Sequence, residues 1–279
     1  MNNPGNVDPL YVLARRVLLD ALDALGGQRG ALILVGAQAV YLHTGPAGLA
    51  VAEYTTDADL AIDPQFLSDD PKLEEAIRAA GFERSGTNVG TWLVKKSLDG
   101  KEVSVPVDLL VPEAVGGPGR RGARLGVHGN TAARKVKGLE AALVDKAAKD
   151  IAALDPADGR SFSVAVAGPT ALLIAKLHKI GDRRSDEGRL KDKDALDVLR
   201  LLRATETAAV AAVWSKLLLD KTAGTVSREA VILLERLFAT PGSEGSQMAA
   251  RAAVSLEPED ITAASCAALA TDLLAAIRA

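Results

Sequence analysis

With one cysteine, Cys266, in 279 residues, the chain cannot close an internal disulfide, and no Cys/His cluster has zinc spacing. These absences exclude a disulfide-stapled scaffold and a thiolate metal centre and suit a reducing cytoplasm; the thiol itself reads as a small core residue. His43, His128 and His178 have no mutual spacing that builds a catalytic triad or a metal site. Positive charge is not in excess either. The formal net charge of −3 argues against a protein coated in nucleic acid, while leaving room for a local basic groove. The opening MNNPGNVDPLYVL has neither a basic start nor an uninterrupted apolar core of the secretory kind, and the apolar run ALILVGAQAVYL is too short to cross a bilayer. A soluble, cytoplasmic protein is expected.

What is present is ordinary globular composition, 48% apolar and 25% charged, over a length that holds one large domain or two smaller ones. Helical spacing from Asp8, a ready N-cap, to Gly26 and Gly27 predicts a first helix. ALILVG reads as a short buried strand, AQAVYLHTG as a short helix closing at Gly45, and YTTDADLAID as the next strand. DDPKLEEAIRAAGF follows as an amphipathic helix from an Asp to a Gly, and TWLVKKSLDGKEVSVPVDLLVP as two strands joined by the hairpin signal Asp99-Gly100. Residues 113–137, glycine-rich and basic, read as a mobile loop with solvated charge, a grip on a phosphate backbone being the alternative. From Pro169 onward the periodicity is helical, with candidates over 169–183, 191–204, 206–220, 227–239 and 258–279. The expected fold is α/β (α+β): a mixed sheet with flanking helices over 1–167, then a helical domain over 168–279.

The chemistry is concentrated in acids set within apolar strands. On an extended strand Asp57 and Asp59 share one face while Ala58, Leu60 and Ile62 take the other. Partly buried carboxylates so placed need a cation, and a divalent metal is one solution. Asp108, in VSVPVDLLVP, would bring a third carboxylate if its strand pairs near the first. Converging oxygens suit Mg²⁺, which keeps positions open for water and substrate phosphates, and the implied chemistry is phosphoryl or nucleotidyl transfer. Gly36 ends LILVG where a helix would start, so free backbone N–H groups could meet an anion there. Lys176, Lys179 and Arg183 fall on one face of a helix, beside the apolar stripe Leu173, Leu177 and Ile180. That basic face would supply phosphate charge opposite the metal-binding acids, with a nucleotide in the cleft between the two domains.

Val35-Gly36-Ala37, Asp57-Ala58-Asp59 and Asp108 resemble the pattern of the nucleotidyltransferase superfamily with the DNA polymerase β-like fold. VGAQAVYLHTG, YTTDADLAI, AKLHKI and KDKDALDVLRLL are similar to the AbiEii/MenT group of nucleotidyltransferase toxins, over residues 31 to 202. The resemblance implies Mg²⁺ or Mn²⁺ held by Asp57, Asp59 and Asp108, and an NTP as co-substrate. It implies that Lys176 contacts the triphosphate, that Asp197 is a further essential acid, and that Gly36, Ala37, Arg183 and Asp194 line the nucleotide site. Ala37 stands where the family often has Ser or Gly, so any phosphate contact there comes from backbone alone. A hydroxyl residue at the Thr55 position is phosphorylated in some relatives, and a dianion there would repel triphosphate.

The resemblance further implies transfer of NMP to an RNA acceptor, tRNA foremost, by the toxin of a pair with a cognate antitoxin protein. Two alternatives stand beside it. The 3% aromatic content leans toward a small hydroxylated acceptor, aminoglycoside-like, or a protein side chain, because single-stranded RNA binders often stack bases on aromatic rings. The other is a non-catalytic protein that binds nucleotide and a partner, for which Ala37 is the sequence support.

Overall fold

The structure, a computed structural model, describes residues 8–45, 55–86, 88–183 and 192–279. The chain divides into two compact units, one made of residues 1–39, 54–136 and 146–167 and the other of 40–53, 137–145 and 168–279.

The first unit is built on one mixed sheet. Its strands are β1 (Leu32–Val35), β2 (Ala58–Ile62), β3 (Glu83–Arg84), β4 (Thr91–Leu98), β5 (Lys101–Pro112), β6 (Arg134–Val136), β7 (Lys146–Ala152) and β8 (Ser161–Ala167). They lie in the order β3-β4-β5-β2-β1-β8-β7, with β6 added against β5. β1 and β2 are antiparallel, whereas β2 and β5 are parallel with Asp59 opposite Asp108. All four β1 residues are buried, as expected of a strand covered on both faces. Helix α1 (Pro9–Ala24) starts where the sequence signals it: the Asp8 carboxylate accepts from Leu10 N at 2.7 Å and Pro9 fills the first turn. Its Leu13, Val17, Leu18 and Leu22 are buried, and the helix packs on β2, β4 and β5. Asp99 and Gly100 both take positive φ, 51° and 75°, the turn geometry that suits the twist of the β4–β5 hairpin.

The structure differs from the sequence expectation at several places in this unit, three of which matter most. Helix α3 (Leu73–Ala79) is shorter than the run from Asp69 suggests, and starts after Lys72 with no side-chain cap. Residues 113–137 are not a slack loop: they include 3₁₀ turns at Glu113–Val115 and Gly126–His128 and the strand β6, with Ala123, Leu125, Ala132 and Ala133 buried. β7, read off as no element, pairs antiparallel with β8 along its whole length. Its KAAKDIA sequence has weak strand propensity, so the ladder to β8 decides it.

The second unit is helical: α4 (Pro169–Arg183), α5 (Asp192–Ala204), α6 (Thr207–Leu219), α7 (Gly224–Phe238), α8 (Glu244–Ala253) and α9 (Glu259–Arg278). Helix α2 (Gly36–Thr44) follows β1 in the chain. Trp214 is fully buried and its indole donates to Ser227 O at 3.1 Å. α9 is a 20-residue helix, long and apolar enough to span a bilayer by length and composition alone, which the sequence reading overlooks. It instead packs against α6, α7 and α8, burying Cys266, Leu273 and Leu274. α8 is the one C-terminal helix absent from the periodicity, because EGSQMAARAA has small residues where a stripe of large ones would show.

Packing explains those small residues. A Cβ at Gly245 would meet the Phe238 ring at 2.6 Å and the Leu237 carbonyl oxygen at 2.8 Å. Gly→Ala inside a helix ordinarily stabilises by up to about 1 kcal/mol, but here overpacking outweighs it. Gly245→Ala is expected to lower unfolding stability by about 1–3 kcal/mol in urea titration. Gly242→Ala, with open space around its Cβ, should stay near the wild-type value.

Candidate active site

In the first unit the β1-β2-β5-β4 registers align Val35, Asp59, Asp108 and Thr91 in one row across the sheet, so their side chains leave the same face. Ala58, Val107 and Trp92 form the next row on the opposite face, and all three are fully buried. Alternation along the strands therefore sends the apolar residues to the core and the acids to the other side. Neighbouring strands set the Asp59 and Asp108 backbones about 4.8 Å apart.

Gly36 closes this arrangement from below. It sits at the β1-to-α2 turn with φ 71°, and a Cβ there would lie 1.9 Å from Asp59 Oδ2. The Asp59 carboxylate thus occupies the volume a side chain would take, and glycine is required twice over, by backbone and by contact. Ala37 is buried beside it at the start of α2. Asp57 lies one residue before β2 rather than within it; its carboxylate accepts from the Thr55 hydroxyl and its backbone carbonyl from Gln38 Nε2 at 3.1 Å. Thr55 is 1% exposed, so its hydroxyl faces Asp57 and not solvent.

Five residues that hold these acids, directly or through one another, are not singled out by the sequence. Asp108 is held by Thr91 Oγ1, which donates to Oδ1 at 2.6 Å, and by Arg134 Nη2, which donates to Oδ2 at 2.5 Å. Gln38, 1% exposed, accepts from Arg15 Nε at 2.9 Å while donating to the Asp57 carbonyl. Arg15 in turn donates to Tyr11 Oη and to the Ala152 carbonyl, both at 3.1 Å. A buried arginine and glutamine within apolar helices were the available clue, since such groups persist only when satisfied. Arg134 was hidden inside the segment read as loop.

Among the described residues, no three His, Cys, Asp or Glu side chains are grouped so as to hold a metal ion by themselves. Asp57 and Asp59 nonetheless offer the oxygen ligands a hard cation takes, and Mg²⁺ is commonly held by one or two carboxylates completed by substrate phosphates and water. Asp108 adds a third only by exchanging its contact with Arg134.

The other predicted residues gather in the second unit. Lys176 on α4 is 4% exposed and its ammonium donates to Asp194 Oδ1 at 2.8 Å and Asp197 Oδ2 at 2.7 Å, both on α5. Arg200 Nη1 donates to Asp197 Oδ1 at 3.0 Å and lies over the Tyr41 ring, and Lys179 pairs with Asp194 at 3.1 Å. Burial works to strip the Lys176 proton, but the two carboxylates outweigh it and hold its pKa above the ordinary lysine value. Asp192, the third acid of that run, pairs instead with Arg251 at the surface. The side chain of Arg183 lies outside the described residues.

A mixed sheet with paired acids on adjacent central strands and a glycine turn beneath them is a frame for handling a phosphate-bearing substrate. A family model described as nucleotidyltransferase matches residues 15–219, and the chain belongs to that nucleotidyltransferase family. Comparisons with curated proteins and with solved structures give no match. The match runs from Arg15 through β1, β2 and β5 to the end of α6, and so takes in the acid row and the Lys176 cluster, leaving out Tyr11 and Arg251.

Lys176→Met removes the central cation and leaves buried carboxylates underpaired, which is expected to cost about 3–5 kcal/mol of unfolding stability. With its folded pKa raised, the Lys176 contribution is complete below about pH 10 and lost as pH climbs through the folded value, so the deficit of the variant should be flat from pH 6 to 9 in denaturant titrations. Gly36→Ala is expected to displace Asp59, costing about 1–3 kcal/mol from backbone strain alone, with loss of nucleotidyl transfer as the functional readout.

Proposed function

We propose that the protein is a metal-dependent nucleotidyltransferase that moves NMP from an NTP to an RNA acceptor, tRNA foremost, with release of pyrophosphate, as the cytoplasmic toxin of a toxin–antitoxin pair. One observation carries the catalytic part: Asp59, seated on Gly36, stands in register with Asp108 on the adjacent parallel strand. The toxin and acceptor assignments rest on the likeness of VGAQAVYLHTG, YTTDADLAI, AKLHKI and KDKDALDVLRLL to the AbiEii/MenT group.

Asp57 and Asp59 would hold Mg²⁺ or Mn²⁺, and Asp108 would join them after giving up Arg134. The cation, when bound, supplies charge against the triphosphate and lowers the cost of ionising the acceptor hydroxyl. The chain does the rest. Gly36 and Ala37, at the start of α2, would offer backbone N–H groups to phosphate oxygens. Gln38 fixes the Asp57 carbonyl, and so the direction from which the Asp57 carboxylate reaches the site. Lys176 stays protonated between Asp194 and Asp197; a contact with triphosphate is what the AbiEii/MenT likeness implies for it. A phosphoryl group on Thr55 would displace Asp57 from its present partner, consistent with a silencing modification.

The second reading keeps the chemistry and replaces RNA with a small hydroxylated molecule or a protein side chain, favoured by the scarcity of aromatic rings. Incubation with α-labelled NTPs, total tRNA and Mg²⁺ or Mn²⁺ separates the two. Label in tRNA is expected, absent after chelation with EDTA and reduced on the order of 10²–10³-fold by Asp59→Asn. A folded protein that binds NTP yet leaves tRNA unlabelled would overturn the RNA acceptor, and label on an aminoglycoside or on protein would favour the second reading.

A further inference from the structure

The segment joining β5 to β6 holds a charge arrangement found nowhere else among the described residues. Most arginines are answered: Arg78 and Arg84 by Glu74, Arg134 by Asp108, Arg160 by Asp20 and Asp158, Arg203 by Glu257, Arg251 by Asp192. Arg120, Arg121 and Arg124 are exposed and have no side-chain hydrogen bond, ion pair or ring contact to another described residue, a state shared among the described arginines only by Arg236 on α7. Three unanswered guanidinium groups within five residues repel one another and gain nothing from the fold.

Their backbone, by contrast, is firmly held. Lys135 Nζ donates to the carbonyls of Gly117, at 2.9 Å, and Gly119. Arg124 N donates to Gly116 O at 2.9 Å, Ala123 N to Ala133 O at 3.0 Å, and Lys135 N to Arg121 O at 2.7 Å. Ala123 and Leu125 are buried beneath, so the arginines are displayed from a fixed support rather than from a slack tether. Gly122 bridges to Arg134, the residue whose guanidinium rests on Asp108, which places the display beside the acid row.

We infer that this segment is the docking face for the phosphate backbone of the RNA acceptor, with Arg120, Arg121 and Arg124 as its contacts. The inference rests on the RNA reading above and supplies the surface that reading lacks. Arginine forks match phosphate oxygens in a bidentate manner, and backbone docking needs charge without aromatic platforms, which accommodates the low aromatic content. A protein partner fits less well: apart from the arginines, the exposed residues over 117–124 are Gly117, Pro118 and Gly119, and Val127 is the one large apolar side chain exposed in the segment, so no aromatic anchor accompanies the charge. The overall charge of −3 makes this a local patch, as expected of contact at a single site.

The test is fluorescence anisotropy of the full chain with end-labelled bulk tRNA over a KCl series, without NTP. The combined variant Arg120→Gln, Arg121→Gln, Arg124→Gln is compared with wild type and with Arg236→Gln, an exposed and unanswered arginine outside the segment. The combined variant should lose more than tenfold in affinity at low salt, and its slope of log K against log salt should flatten by about two, from about 0.7 per phosphate contact. Arg236→Gln should bind as wild type does, and all three proteins should share one Tm. Unchanged affinity and slope in the combined variant, or no tRNA binding by wild type, would each overturn the docking face. The transfer assay distinguishes the two claims: labelled tRNA with an unaffected combined variant sinks the docking face alone. Arginine-dependent binding with no labelling sinks the transferase reading and leaves the docking face standing.

Discussion

The parallel pairing of β2 with β5 is the constraint on which the first unit turns. It sets Asp59 directly opposite Asp108, and because side chains alternate along strands, the same register sends Ala58, Leu60, Val107 and Leu109 into the core. A slip of one residue would bury both carboxylates and expose the apolar set, so hydrophobic burial and acid placement are decided by one choice. The registry is tightened by Gly36, whose missing side chain is the seat of the Asp59 carboxylate. Fold stability and the geometry of the acids are therefore not separable properties here.

The acids are neutralised differently in the two units. Asp108 meets an arginine that is one-third exposed, in an ion pair at the rim of solvent, where an incoming polyanion or cation can compete for either partner. Lys176, Asp194 and Asp197 are almost wholly enclosed, at 5%, 2% and 2% side-chain exposure. Enclosed charges of this kind are strongly coupled, and breaking one contact leaves another uncompensated. The first arrangement is suited to exchange of partners, the second to holding helices α4 and α5 in fixed relation.

Much of this was legible in the chain. The Asp-x-Asp run, the strand acid at Asp108 and the glycine at the β1 exit identified the acid row because carboxylates inside apolar strands stand out against their surroundings. The Asp8 cap, the Asp99-Gly100 turn and the long amphipathic helices followed from local chemistry. What stayed hidden depended on distant partners. Arg134 looked like one more basic residue until β6 was seen to pair with β5, and β7 needed β8 to become a strand. Gln38 and Arg15 gave only the weak signal of polar groups on apolar faces, and α8 had its periodicity erased by residues kept small for Phe238.

Gln38 joins parts of the unit that the sheet keeps apart. β7 is an edge strand three places from β2 in the sheet order. Yet the Ala152 carbonyl on β7, the Arg15 guanidinium, the Gln38 amide and the Asp57 carbonyl form a single polar relay. An amide at its midpoint accepts from one side and donates to the other, so the relay has a direction that a carboxylate or a second cation could not reproduce. Fraying at the rim of the sheet would thereby reach the peptide unit of Asp57 without passing through any intervening strand.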